Sequence, residues 1–542
     1  MLDSLYNEFA VIMSLSVIIG LIAIKLRQPL ILSFIIVGFV AGPSVLGWIT
    51  AQSEIEVLAN FGVTLLLFIV GLKLDLQLIK SFGPLVILIG LGQIVLTAVG
   101  GLLIGFLMGM AIVPALFVAA AVTFSSTIII VKVLSDRDEI DSLYGRITVG
   151  ILIVQDLVVV IALIILSSLR VRHGLSLPLE IASLLLRGIG FLAVIALLMR
   201  YVLPALLPQF ARSRELLVLF GISWAVILAV SGIMLGFSQE IGGFLAGVSL
   251  ASTRYRESLA SRLETLRNLL LLFFFLNLGA SLHLEVMTSL LLPAVVFSVF
   301  VLLIKPLIIM TIMIPMRFRT RTSFLAGFTL GQLSEFSLIL AMLGVNLGFI
   351  GSEIEGLITF IAMVTIGIST YVIAYATTLY QRLSPWLARF ERDIKYREDE
   401  AGDHVEDHVD IIVFGFGRHG KHLASLLAGR GFKIMGIDFD PRKLKEYHAD
   451  LRCIVRYGDA EDAEFPKTLP LTHAKWVVST VPHHDANQLL VSALREVGYR
   501  GKIALSAYHE NEIEAFNALH VDLVLIPFRD AAYAAAEKIV EG

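Results

Sequence analysis

The sequence predicts a multi-span, all-α membrane domain followed by a cytoplasmic α/β domain of the Rossmann type. Three observations predict it. Apolar runs long enough to cross a bilayer recur from residue 8 to about 380. The 542-residue chain is 57% hydrophobic and only 16% charged, and its charge gathers from about Pro385 onward, in "RFERDIKYREDEAGDHVEDHVD". Beyond that segment, "DIIVFGFGRHG" (410–420) runs a short apolar strand into a glycine-rich turn and a helix. The division is therefore 1–384 for the membrane domain, 385–409 for a charged linker and 410–542 for the soluble domain. The net charge of −3 averages two unlike halves and says little about partners; nothing in it points to nucleic acid. A single cysteine, Cys453, excludes an internal disulfide and a cysteine-rich metal site, and reads as a small buried hydrophobe.

Thirteen hydrophobic segments are expected to span the bilayer: 8–24, 30–48, 55–72, 82–110, 113–134, 146–168, 179–203, 214–232, 236–252, 268–281, 290–315, 322–347 and 354–380. The first is read as a retained span, since no basic n-region or cleavage site precedes it. Alternate loops are basic, among them Lys25/Arg27, Lys73/Lys80, Arg212/Arg214 and Arg317/Arg319/Arg321; Arg170 and Arg172 are the exception. The positive-inside rule then places the N-terminus outside and the soluble domain in the cytoplasm.

The chain also repeats itself. "GFVAGPS" (38–44) answers "GFLAGVS" (243–249) at an offset of 205, Gly71 answers Gly279 at 208, and Ser125 in "FSSTIII" answers Ser334 in "LSEFSLI" at 209. Seven spans separate the copies, an odd number, so the second is inserted upside down, as in many secondary transporters.

The polar residues fall where such a repeat places a substrate. Ser125, Ser126 and Thr127 lie together in the fifth span, and Gln332, Ser334 and Glu335 lie at the matching place in the twelfth. Both segments lack helical continuity there, which suggests crossed, discontinuous helices offering carbonyls, hydroxyls and dipole ends to a small ion. Asp156, in "ILIVQDLVVVI", sits about ten residues from either end of an aliphatic run, beside Gln155. A carboxylate at that depth costs roughly 3 kcal/mol on insertion scales, so it faces a cavity or a partner. Lys305, in "FVLLIKPLIIM", is the other deep charge and the candidate partner. A carboxylate poised between proton and cation is the functional reading of Asp156, which would make it the monovalent-cation ligand.

Through "GFVAGPS", "FIVGLKLDL", "FSST", "VQDLVVV", "LLIKPL" and "GQLSEFSLIL", the chain resembles the bacterial monovalent cation:proton antiporters of the Kef type. The resemblance implies the sodium/proton-antiporter fold, with a dimerisation domain and a mobile core, hence a homodimer, and a setting in the bacterial inner membrane. It implies Asp156 as the essential carrier, and potassium as the cation in an electroneutral exchange, since Gln155 stands where charge-moving relatives have a second aspartate. An ancillary regulatory subunit is compatible with it. Kef proteins also carry an acidic regulatory loop that serves glutathione control; here "STRYRESLASRLETLRN" has more Arg than Glu, a departure that argues against such control.

In the soluble domain, Gly415, Gly417 and Gly420 form the GxGxxG turn after a strand, and Asp438 follows eighteen residues beyond the last glycine. Together they make a dinucleotide-binding fingerprint, with glycines for phosphate and Asp438 for ribose hydroxyls. Asp459 is expected near the adenine end, and Ser479 and Thr480 at the carboxyl edge of the sheet. With Arg418 in "GFGRHG", this part resembles the nucleotide-binding domain that regulates potassium channels and transporters, which implies regulatory binding of NAD(H) or an adenine nucleotide such as AMP.

Rival readings are a sodium/proton antiporter, a ligand-gated potassium channel, and a membrane-bound oxidoreductase. No TVGYG-like filter supports a channel, and no catalytic constellation near the glycine turn supports an enzyme.

Overall fold

The computed structural model describes residues 5–49, 52–73, 83–137, 139–140, 142–168, 177–282, 284–387, 409–438, 453–460 and 465–541. The linker expected at 385–409 lies almost wholly outside the described residues. The chain divides into two compact units: Met1–Asp136, Ile147–Ile312 and Phe324–Ser384 form the first, and Arg137–Arg146, Met313–Ser323 and Pro385–Gly542 the second.

The spans are helical because, in lipid, only a helix or a closed barrel satisfies every backbone donor and acceptor. The helices begin with α1 (Leu5–Lys25), α2 (Leu30–Ala41), α3 (Gln52–Lys73) and α4 (Gly83–Leu107), and continue with α5 (Ile112–Thr123), α6 (Thr127–Asp136) and α7 (Leu143–Ser168). α8 (Leu177–Leu197) passes through a π-turn into α9 (Leu203–Phe210), followed by α10 (Arg214–Met234), α11 (Gln239–Ala251) and α12 (Arg256–Ala280). α13 (Leu284–Val299) passes through a second π-turn into α14 (Lys305–Met313), followed by α15 (Thr320–Thr329), α16 (Glu335–Asn346), α17 (Ser352–Ala374) and α18 (Ala376–Leu387).

Among the described residues ten helices are long and apolar enough to cross a membrane. Three of the expected thirteen segments appear instead as shorter helices: α2, α11 and the pair α15 and α16. One boundary is corrected. The span expected to begin at 268 begins at Arg256, because Leu259 and Leu263, both at 0% exposure, bury one face of the charged stretch before it. A hydropathy average sees the charges and misses the face.

The internal repeat is visible in the packing, with one register corrected. A methyl group on Gly38 (α2) would lie 2.1 Å from the Leu276 carbonyl oxygen (α12), and one on Gly247 (α11) would lie 2.0 Å from the Phe68 carbonyl oxygen (α3). Gly71 and Gly279 make matching approaches to Gly247 and Gly38. Gly38 therefore answers Gly247, an offset of 247 − 38 = 209, and Phe68 answers Leu276 at 276 − 68 = 208. The sequence match at 205 is one helical turn out of register. Without a side chain at these points, two backbones come into contact, which is how helices associate in lipid.

In the second unit, β1 (Ile411–Phe414), α19 (Arg418–Gly429), β2 (Ile434–Asp438), β3 (Ile454–Tyr457) and β4 (Trp476–Ser479) lead to α20 (His484–Glu496), β5 (Lys502–Ser506), α21 (Glu510–Ala518), β6 (Leu523–Leu525) and α22 (Pro527–Glu541). The six strands are parallel in the order β3-β2-β1-β4-β5-β6. Each residue of β1 and β2 is buried, as parallel strands covered on both faces require. The strand order reverses between β1 and β4, and a ligand crevice opens at the carboxyl ends of the strands there. Cys453 is buried and free, and burial pushes its thiol up from the ordinary range.

Candidate functional site

Two helices of the membrane unit are broken. The chain leaves the helical conformation between α5 and α6, where Phe124 has φ −85° and ψ 148°, and between α15 and α16, where Ser334 has φ −96° and ψ 153°. The breaks are strapped together: Ser125 Oγ donates to the Leu330 carbonyl at 2.8 Å, and Ser337 Oγ to the Ala121 carbonyl at 2.6 Å. Lys305 follows directly on the second π-turn, and the wider turn accommodates Pro306 inside the helix. Its ammonium, wholly buried, donates to the carbonyls of Val122, Phe124 and Gln332, each at 3.2 Å. These carbonyls lie at or just beyond the C-terminal ends of α5 and α15, where partial negative charge accumulates. The expected pairing of Lys305 with Asp156 is corrected: three carbonyls take all three ammonium donors.

Asp156 stands on α7, where its Oδ2 accepts the Thr127 hydroxyl at 2.9 Å. It is partly exposed, whereas Gln155 beside it is wholly buried. Both ends of the Gln155 amide are engaged: its Oε1 accepts the Ser125 N–H at 2.9 Å and its Nε2 donates to Gln93 Oε1 at 2.6 Å. Glu335, the first residue of α16 and 3% exposed, interacts electrostatically with Asp156 and with Arg267 and is hydrogen-bonded by Ser126; its Oε2 has no hydrogen-bond partner among the described residues. The remaining polar groups are structural in their visible bonds. Ser126 Oγ accepts from the Ile129 N–H, and Ser334 Oγ from the Phe336 N–H, at 3.3 and 3.2 Å. Gln332 accepts the Ser369 hydroxyl at 2.7 Å and reaches the Ser126 carbonyl at 3.5 Å. Carboxylate, hydroxyl and carbonyl oxygens so gathered can replace part of the hydration shell of a small cation, or hold a proton.

In the second unit the three glycines do three different things. Gly415 turns the chain at φ +85°, a Cβ on Gly420 would sit 1.9 Å from the Gly415 carbonyl oxygen, and among the described residues nothing lies within 4 Å of a Cβ on Gly417. That is the division of labour a pyrophosphate-binding turn needs. Thr480 Oγ1 donates to the Gly415 carbonyl at 2.5 Å, and Asp438 Oδ2 accepts the Phe416 N–H at 2.7 Å, so both brace the turn. The cleft beside it is lined by Gly415, Asp438, Gly458, Asp459, Val481 and His483, among others. Asp459 also pairs with Arg321 of the same unit. Arg418 is exposed at the first position of α19. The residues fit the phosphate and ribose of a nucleotide: a helix N-terminus for phosphate and acids for ribose.

Residues 11–377 match the model of the transmembrane sodium/hydrogen exchangers, well over half of the chain. The protein belongs to the sodium/hydrogen exchanger family. Residues 411–527 of the exchanger match a second model, the TrkA-N domain. It is 32% identical over 351 residues to K(+) efflux antiporter 5 of Arabidopsis thaliana, covering 63% of this chain and 61% of that one. It is 27% identical over 514 residues to the glutathione-regulated potassium-efflux system protein KefC of an Enterobacter species, covering 91% and 80%. Among solved structures, the sodium proton antiporter MjNhaP1 of Methanocaldococcus jannaschii shares the fold of the membrane part, with a TM-score of 0.50 at 16% identity, covering 69% of this chain and 97% of that one.

The exchanger's crossing thus brings together Ser125, Ser126, Thr127, Asp156, Gln332, Ser334 and Glu335, with Gln155 and Lys305 engaged behind them. Sequence reading missed Gln93, Thr365, Ser369 and Arg267. Thr365 Oγ1 accepts the Leu333 N–H at 3.4 Å, and Arg267, 5% exposed, bonds Glu264 and Asn268. The signal for Gln93 was present: it is the one amide in the apolar segment 82–110.

Proposed function

We propose that this exchanger moves a monovalent cation, potassium in the first instance, against protons across the bacterial inner membrane, with Asp156 as the carrier. The observation that carries the reading is the Asp156 carboxylate, partly exposed and held by Thr127 beside the crossing of two broken helices. When the carboxyl loses its proton, the charge and the nearby hydroxyl and carbonyl oxygens hold a cation; when it regains the proton the cation is released. Alternation of the two repeats turns that competition into exchange. Gln155 is neutral and engaged by the Ser125 N–H and the Gln93 side chain, so one carboxylate exchanges one proton for one cation. Potassium is supported by the names of the relatives. Sodium is the second reading, favoured by the family description.

The second unit regulates this exchange in the same proposal, by binding NAD(H) or an adenine nucleotide such as AMP. The N-terminus of α19 with Gly415, Gly417 and Gly420 would hold phosphate, Arg418 would add positive charge, and Asp438 and Asp459 would take ribose or base donors. A nucleotide supplies binding energy only, and coupling of about 1–3 kcal/mol changes exchange some 5- to 150-fold. The protein acts as a homodimer with its N-terminus outside.

Reconstitution into liposomes with a pH-sensitive dye tests both parts. Potassium, sodium, lithium and choline are added in turn, with and without AMP, ATP, NAD⁺ and NADH. Potassium-dependent proton release that Asp156→Asn abolishes is expected. Undiminished exchange by a folded Asp156→Asn protein, or a rate that no nucleotide alters, would remove the carrier or the regulator respectively.

A further inference from the structure

We propose that Gln93, on α4, is a positioning residue for cation exchange: it sets the direction of the Gln155 amide, which in turn holds the unwound segment beside Asp156. The inference rests on Asp156 being the carrier. Five residues form one network of hydrogen bonds. Gln93 Nε2 donates to the Thr123 carbonyl at 3.1 Å and to Thr97 Oγ1 at 3.0 Å. Gln93 Oε1 accepts from Gln155 Nε2 at 2.6 Å, and Gln155 Oε1 accepts from the Ser125 N–H at 2.9 Å. Gln93, Thr97, Gln155 and Ser125 are at 0% exposure and Thr123 at 1%, so no water replaces a lost partner.

The direction of the chain is dictated by its ends. A carbonyl only accepts and a backbone N–H only donates. Between them stand two side-chain amides, and only one orientation of each gives every donor an acceptor. Turning either amide over would set carbonyl against carbonyl or NH₂ against NH₂. The chain also begins and ends on one segment, since Thr123 and Ser125 flank Phe124, whose own carbonyl takes Lys305. Thr127, two residues on, holds Asp156. α4 reaches this place because Gly90, one turn before Gln93, lets it approach α7; a Cβ there would lie 3.0 Å from the Val154 side chain.

The consequence is electrostatic as well as mechanical. An unpaired N–H in the unwound segment would point a positive dipole end into a cation site. With the Gln155 carbonyl oxygen on it, Ser125 presents no such donor, and the hydroxyl and carbonyl oxygens keep the place next to Asp156. The titratable groups beside the chain are Asp156 on α7, Lys305 on α14 and Glu335 on α16, the last bonded by Ser126; α5, which packs on α4, carries no titratable side chain.

The test uses the full-length protein in liposomes and measures KM for potassium and sodium, and maximal rate, across pH. Gln93→Leu removes both ends of the link, and we expect KM for the cation to rise about tenfold, with altered potassium-to-sodium discrimination. Gln93→Glu is the sharper variant. Its neutral acid can still donate to the Thr123 carbonyl and accept from Gln155, whereas its ionised form cannot donate. Neutral Gln93→Glu keeps the donation to Thr123 and loses that to Thr97, so its KM should stay close to the wild type, and it should rise about tenfold at any pH high enough to ionise the buried acid. A Gln93→Leu protein or, where that fails to fold, a Gln93→Met protein with wild-type KM and wild-type potassium-to-sodium discrimination overturns the inference. Wild type and Asp156→Asn run in the same vesicles: no exchange by the first, or full exchange by the second, fails the carrier reading instead.

Discussion

Removing the Lys305 ammonium is the most informative single perturbation of the crossing. Lys305→Met keeps the length of the side chain and its aliphatic stem but leaves the carbonyls of Val122, Phe124 and Gln332 without the donor they share at 3.2 Å. Hydrogen bonds to a charged group contribute about 1.5–3 kcal/mol each, so three sum to roughly 4–9 kcal/mol. Against this stands the cost of keeping an ammonium from water, several kcal/mol, which the methionine no longer bears. The net loss is about 3–5 kcal/mol, a fall of about 5 °C in Tm for a unit of this size. Lys305→Gln, which supplies two donors and no charge, should lie between. The assay is thermal unfolding of purified protein in detergent, with exchange measured in liposomes at a temperature where each variant is folded. Because Lys305 stands on both breaks, exchange should fall together with Tm. A Lys305→Met protein with the wild-type Tm and rate would refute the argument that this charge holds the broken helices together. A large loss of rate with Tm unchanged would instead make Lys305 an ion-path residue.

Three further outcomes are expected. Gly247→Val places branched carbons where a single methyl already lies 2.0 Å from the Phe68 carbonyl, and Gly38→Val does the same against Leu276 at 2.1 Å. Because the two sites are related by the internal repeat, the variants should lose similar folded yield in size-exclusion profiles, and a tolerated member of the pair would break the symmetry argument. Thr480→Val removes the hydroxyl that ties the Gly415 carbonyl at 2.5 Å, and nucleotide affinity measured by calorimetry should weaken about tenfold, with basal exchange unchanged. Burial, with His422 adding to it and Asp530 opposing, holds His419 below its ordinary 6.5. A depressed pKa contributes stability that is present above about 6.5 and lost as pH falls through the folded value, so the second unit should become less resistant to denaturant below that pH. His419→Gln should flatten this dependence, and an unchanged slope would show that other groups set it.

Much of the architecture was legible in the residues because lipid leaves the backbone few choices: long apolar runs become helices, and a carboxylate such as Asp156 in the middle of one must face something polar. The glycine turn was legible for a related reason, since Gly415 with its positive φ and Gly420 against the Gly415 carbonyl accept no other side chain. The helix that opens at Arg256 was hidden because its apolar stripe is diluted by charge, and the repeat register slipped by a turn because Gly, Ala and Phe recur too often for a short match to decide between 205 and 209. What only tertiary structure decided is who bonds to whom. Lys305 reaches Phe124 across 181 residues and Gln93 reaches Gln155 across 62, and neither spacing has a local signature. Composition placed the charges of Asp156 and Lys305 and the amides of Gln93 and Gln155 deep in the membrane. Packing of α4, α7 and α14 on the broken helices gave the lysine to backbone carbonyls and the amides to each other, and left Asp156 with a hydroxyl and an opening, because a buried donor goes to the nearest acceptor the folded backbone brings to it.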